Sequence, residues 1–213
     1  MTQELLSGLN GYNIPCRHTI QGGESMVCLI THGFGSSKDS PTAQLLAGEL
    51  PRHGIGTLAL DLPAHGDSPV DGDALSIRHC LDDLARAEAR ALELAPGARV
   101  VYFSSSFGAY LNLIYLSTRP HRGTRSFLRS AAVEMPLLFH TPTPEQAEEL
   151  ARQGFLMDLR SDCSQPHWHH ISWSDLQFLP DYSFLFPPLF IFIINLHPCQ
   201  ACTLSKRFRI SSL

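Results

Sequence analysis

Glycine is absent after residue 154: all fifteen of the chain's glycines lie at or before Gly154. Average usage of about 7% would place roughly four beyond it. Charge is also scarce, at 17% of residues, and 16 Lys and Arg against 20 Asp and Glu leave a net charge of −4. Nucleic acids and anionic membranes recruit basic patches, so neither is expected as a partner. The most apolar segment, Phe184 to Leu196, is interrupted by Pro187 and Pro188. It falls short of the roughly 20 residues that a membrane-spanning helix needs and reads as a buried strand. The first residues, MTQELLSGLNGYNIPC, have no basic segment ahead of an apolar stretch, so no secretory signal is expected. Six cysteines are too dispersed for a disulfide scaffold in a chain this long; they read as reduced thiols of a cytoplasmic protein.

What is present suits a folded core. The chain has 213 residues, of which 44% are hydrophobic, enough for one ordinary domain without metal or disulfide staples. No cofactor is implied. Composition divides it in two. Residues 1–157 are rich in Ala, Gly and Leu with clean periodicity, whereas 158–213 holds both Trp, half of the Cys and an aromatic-dense run. The second part reads either as a cap resting on the first or as an altered ending, and turns without glycine over such a length favour the altered ending.

Within the first part, strands and helices alternate. Met26 to Thr31 is a short β-branched run suited to a buried strand. Ser40 before Pro41 marks a helix start, with Ala43, Leu46, Ala47 and Leu50 as its apolar face. Thr57 to Leu60 is the next strand. Ser76 opens a helix whose Ile77, Cys80, Leu81, Leu84, Ala87, Ala91 and Leu92 recur at helical spacing, stopped by Pro96 and Gly97. Val100 to Phe103 is a third strand, Phe107 to Ser117 a helix, and Phe127 to Val133 a fourth strand. Such alternation predicts an α/β fold, a mostly parallel sheet with helices on both faces.

Reactive groups in such folds gather past the carboxyl ends of the strands. After Val100 to Phe103 comes Ser104-Ser105-Ser106-Phe107-Gly108, the only Ser-x-Gly of the chain. Small residues on both sides of Ser106 allow a turn tight enough to lift its hydroxyl out as a nucleophile. A Ser-rich helix N-cap is the plainer alternative. The loop after Met26 to Thr31 reads His32-Gly33-Phe34-Gly35-Ser36. Alone it is a tight turn. Paired with the serine turn, it offers the Phe34 N–H, which with the Phe107 N–H would hold the negative oxygen of a tetrahedral intermediate.

With these two loops and Asp61-Leu-Pro-Ala-His-Gly-Asp-Ser68, the sequence resembles the α/β-hydrolase family, and within it the serine-aminopeptidase-like branch of esterases, lipases and acyl transferases. The likeness covers about residues 15–157. It implies Ser106 as nucleophile, Phe34 and Phe107 as oxyanion-hole donors, the Asp61 to Ser68 loop as a structural element beside the site, and a small-molecule acyl substrate. Ser104 stands where the family usually has Gly, a small-for-small change.

The family also carries a carboxylate after a late strand and a histidine after the last one. Pro188 to Ile194 suits the late strand, but Asn195-Leu196-His197-Pro198 follows it without an Asp, and no His lies beyond Pro198. His167, His169, His170 and His197 remain as candidate bases, and Glu134, Asp158, Asp162, Asp175 and Asp181 as candidate acids, none placed by a motif. Gln165 to His170 reads as a solvated loop rather than a metal cluster, and Cys199-Gln-Ala-Cys202 as accidental spacing. Three readings follow: an α/β-hydrolase working through an acyl-enzyme on Ser106, a catalytically silent or truncated member of the fold, and a binding or docking protein using its aromatic tail. The oligomeric state is not encoded in any motif.

Overall fold

The computed structural model describes residues 1–132, the backbone of the strands Phe155–Leu159, Trp168–Ser172 and Ile191–Ile193, and helical positions 144, 148 and 152. Strands β1 (Thr2–Ser7) and β2 (Asn13–His18) form an antiparallel hairpin. Strands β3 (Met26–Thr31), β4 (Ile55–Leu60), β5 (Arg99–Ser105) and β6 (Gly123–Arg129) are mutually parallel, and β9 (Ile191–Ile193) joins β6 in the same sense. The order across this sheet is β1-β2-β4-β3-β5-β6-β9, with β2 antiparallel to β4. A separate antiparallel pair is made by β7 (Phe155–Leu159) and β8 (Trp168–Ser172).

The central strands are apolar on both sides because helices cover both faces. Alternate residues divide accordingly. Val27, Leu29, Leu58, Leu60, Val100 and Tyr102 enter the larger core with α2 (Ile77–Leu94) and α3 (Phe107–Thr118). Cys28, Ile30, Ala59 and Phe103 enter the smaller one with Ala43 of α1 (Pro41–Glu49). Each fully buried Leu or Ile in the larger core is worth about 1.5–3 kcal/mol, and Leu29, Leu58, Leu60, Leu84, Leu111 and Ile114 are all of this kind. Helices α1 and α2 begin where the sequence places them: the Ser40 hydroxyl accepts the Ala43 N–H at 3.3 Å, and the Ser76 hydroxyl that of His79 at 3.2 Å. Among the described residues, no helix is long and apolar enough to cross a membrane.

Two expectations need correction, one of them the loop over Gln165 to His170, where Trp168 already opens β8. The fourth strand runs over Gly123–Arg129 rather than Phe127 to Val133, and its exposed Thr124 and Arg125 give its first half no apolar signal. The β1–β2 hairpin went unread, since only Leu6 of β1 is buried and Pro15 interrupts β2. The strand expected within Phe184 to Leu196 is represented by β9.

Polar groups fasten the helical side. Glu88 of α2 accepts hydrogen bonds from the Tyr102 hydroxyl at 2.6 Å, the Tyr115 hydroxyl at 2.9 Å and the Arg122 N–H, joining α2 to β5, α3 and the start of β6. Asp83 on the same helix accepts a bond from the Tyr12 hydroxyl at 2.8 Å, and its other buried oxygen has no partner among the described residues.

Candidate active site

The parallel strands end at a common rim, and three loops leave it close together. At the end of β5 the chain turns into α3 within one residue, which forces Ser106 to φ 50°, ψ −115°. A non-glycine residue in this region is strained, by about 1–3 kcal/mol, and is held only by its surroundings. Here the holding is visible. The Ser106 N–H donates to the Arg129 carbonyl at 2.9 Å, and its own carbonyl accepts the N–H groups of Tyr110 at 3.0 Å and Ala132 at 3.3 Å. Gly108 allows the close approach, because a Cβ there would collide with the His32 and Thr31 carbonyl oxygens.

Three serines start helices in this protein, and only one is unusual. Ser40 and Ser76 cap α1 and α2 with their hydroxyls, whereas Ser106 makes no cap bond and is exposed. Ser106 thus occupies the N-cap position of α3 without making the cap bond. Among the described residues, none hydrogen-bonds the Ser106 hydroxyl. Ser104 is fully buried near the end of β5, opposite Thr31 of β3, and its hydroxyl has no partner among the described residues.

The loop after β3 faces this turn. A Cβ on Gly33 would lie 3.2 Å from Ser106 Cβ and 3.9 Å from its Oγ, so the backbone at Gly33 comes against the serine. Phe34 follows, its ring edge-on to that of Phe107 with centroids 5.8 Å apart. Phe107 is the first residue of α3, where backbone N–H groups have no acceptor within the helix. The Phe34 ring also meets His65 edge-on at 5.2 Å, and His65 lies 5.2 Å from His32. His32 Nδ1 is 2.7 Å from the Gly33 carbonyl, and its Nε2 accepts the Leu62 N–H at 3.2 Å.

The third loop, after β4, is bolted to the loop after β3 by charge. The buried Asp61 carboxylate accepts the Lys38 N–H at 2.7 Å, the Lys38 ammonium at 2.8 Å and the Asp67 N–H at 2.9 Å. Lys38 Nζ also reaches Asp67 at 2.6 Å and Asp39 at 3.1 Å. Burial alone would lower the Lys38 pKa. The hydrogen bonds it donates to Asp61 and Asp67 outweigh it and hold the group above its ordinary value, so Lys38 is a fixed cation. Gly66, at φ 55°, completes the arrangement, since a side chain there would occupy the space of the Asp61 carboxylate.

The sequence reading placed Ser106, Phe34 and Phe107 in separate loops, and the fold brings those loops together. It did not find Lys38 or the role of His32. Their partners Asp61 and Leu62 lie 23 and 30 residues away along the chain, so no local signal marks either residue. The register of β7 and β8 sets Asp158 opposite His169 and Met157 opposite His170. Glu134, Asp162, Asp175, Asp181, His167 and His197 lie outside the described residues, as does Cys199 to Cys202.

A model of the family described as "Serine aminopeptidase, S33" matches residues 23–160. Solved structures agree in fold. A protein of Agrobacterium vitis S4 assigned as a hydrolase aligns with TM-score 0.65 at 14% identity, over 83% of this chain and 70% of its own. Mouse alpha/beta hydrolase domain-containing protein 10 aligns at 0.62 and 16%, over 83% and 68%. Est1E of Butyrivibrio proteoclasticus, solved with ferulic acid, gives 0.62 and 16%, over 82% and 69%. No curated protein sequence matches the chain.

Proposed function

Since the chain belongs to the serine aminopeptidase (S33) family of α/β-hydrolases, we propose that it is a serine hydrolase of carboxylic esters or related small acyl compounds, with Ser106 as nucleophile. The observation that carries this reading is the strained, exposed Ser106, which caps nothing and stands against Gly33. In the reaction, Ser106 Oγ gives up its proton to a base and adds to the acyl carbon. The carbonyl oxygen takes on negative charge and is held by the Phe34 and Phe107 N–H groups. The tetrahedral species collapses, the C–O bond to the alcohol breaks, and the alcohol leaves with a proton. Water then attacks the acyl-enzyme by the same route and frees Ser106.

The base is drawn from His167, His169, His170 or His197, and the orienting acid from the carboxylates named with them. The division into a core of residues 1–157 and a distinct segment 158–213 is part of the same proposal. A cytoplasmic setting is supported by Cys16, Cys28 and Cys80, which are free, buried thiols. Burial pushes Cys28 up to about 12, so it is not a reactive group.

A fluorophosphonate probe followed by peptide mapping tests the proposal. Stoichiometric label on Ser106, lost in Ser106→Ala, is the expected result. A folded wild-type chain that takes no label at Ser106 belongs instead to the silent members of the fold.

A further inference from the structure

His32 sits one residue before the Gly33–Phe34 peptide, and both of its ring nitrogens are committed. A carbonyl oxygen can only accept, so the 2.7 Å contact to the Gly33 oxygen requires a proton on Nδ1. A backbone N–H can only donate, so the 3.2 Å contact from Leu62 requires a bare Nε2. The two bonds together specify one neutral tautomer. The ring is buried, which keeps water from competing for either bond.

The bond to Gly33 has a consequence across the peptide plane. No peptide bond in the described chain is cis. In a trans peptide, the C=O of Gly33 and the N–H of Phe34 point in opposite directions, so fixing one fixes the other. The Gly33 oxygen also accepts the Ser36 N–H at 3.2 Å. Two donors on that oxygen draw electron density from the amide and make the Phe34 N–H a stronger donor. Gly33 itself lies against Ser106, so this peptide borders the reacting position.

We infer that His32 is a positioning residue, which through its Nδ1–H bond to the Gly33 carbonyl aims the Phe34 N–H at the oxygen of the substrate acyl group. This rests on the reading of Ser106 as nucleophile and Phe34 as oxyanion donor. It assigns the two ring nitrogens different tasks: Nδ1 serves the reaction, and Nε2 ties the loop after β3 to the loop after β4.

Two substitutions separate these tasks. His32→Asn keeps an amide donor near the Nδ1 position and loses the Nε2 acceptor, leaving the buried Leu62 N–H without its partner. His32→Gln can keep an acceptor near Nε2 and loses the donor to Gly33. Second-order rates of fluorophosphonate labelling at Ser106 and thermal midpoints are measured for both, with kcat and KM on a p-nitrophenyl ester. The expected pattern is crossed. H32Q labels about 10-fold or more slowly and loses kcat with KM little changed, whereas H32N labels within about threefold of wild type and loses more thermal stability. H32Q labelling as fast as wild type, or both variants slowing equally, overturns the inference while leaving Ser106 as nucleophile. Should either variant fail to fold, the other still decides, by a fast H32Q or a slow H32N. A wild-type chain that takes no label overturns the reading of Ser106 and the inference with it.

Discussion

At the rim of the sheet, the buried Asp61 carboxylate receives two backbone N–H groups and the Lys38 ammonium. On the α2 flank, Glu88 receives two tyrosine hydroxyls and a backbone N–H, and Asp83 receives one tyrosine hydroxyl. The rim buries its acid as half of an ion pair, and the flank buries its acids against neutral donors. A buried charge is tolerated when a counter-charge and hydrogen bonds meet it, whereas Asp83, which meets a single neutral donor, is pushed by burial toward its neutral form. The rim therefore keeps a charge that clamps two loops beside Ser106, while the flank uses polar groups to fasten α2 to the sheet and to α3. Substitutions at the serine turn should alter chemistry with little effect on stability, and those on the flank should do the reverse.

The sharpest way to break that contrast is Ser106→Ala. We expect kcat on an ester to fall by on the order of 10^6, while urea unfolding shifts by no more than about 1 kcal/mol. A large loss of stability would place the serine turn among the structural fastenings instead.

Next in size is the pH dependence of the flank. Burial raises the Asp83 carboxyl from its ordinary 3.8 to about 7. Between about pH 4 and about pH 7 the folded chain keeps a proton that the unfolded chain releases. Stability contributed by the protonated acid is thus present at low pH and lost as pH rises through that window, by up to about 4 kcal/mol. Urea unfolding across the window should show this fall in the wild type and a flatter profile in Asp83→Asn, with the rate of labelling at Ser106 equal in the two at fixed pH.

Asp61→Ala comes third. Lys38 keeps Asp39 and Asp67 but loses its most buried partner, and two backbone N–H groups lose their acceptor. A loss of about 3 kcal/mol is expected by denaturant unfolding, accompanied by slower labelling of Ser106, because the clamp joins the loops around it. Labelling at the wild-type rate would detach this clamp from the site. The smallest effect is Ser104→Ala, which deletes a buried hydroxyl that has no partner among the described residues. A gain of about 1 kcal/mol in unfolding free energy, with kcat unchanged, would show that the serine in place of a glycine is tolerated rather than used.

How much of this was legible in the sequence depended on where the signal lay along the chain. Strands β3, β4 and β5 announced themselves because burial on both faces leaves an unbroken apolar run, and α1 and α2 because Ser40 and Ser76 cap them. Strands β1 and β2 did not: β1 buries only Leu6, and Pro15 argues against a strand lying between two others. The serine turn and the glycine-flanked Phe34 were readable since local geometry dictates small residues at fixed spacing. Lys38 and His32 were not, because Asp61, which holds the Lys38 ammonium, and Leu62, whose N–H fixes the His32 tautomer, are groups that only folding brings beside them.

Gly66 shows how narrow the choices at the rim become. Its missing side chain would fall where the Asp61 carboxylate already is. A library randomised at this codon should return glycine under every selection that demands a folded chain, whatever ester is offered. Diversity aimed at new substrates is better spent on other loops, because here the alphabet has a single letter.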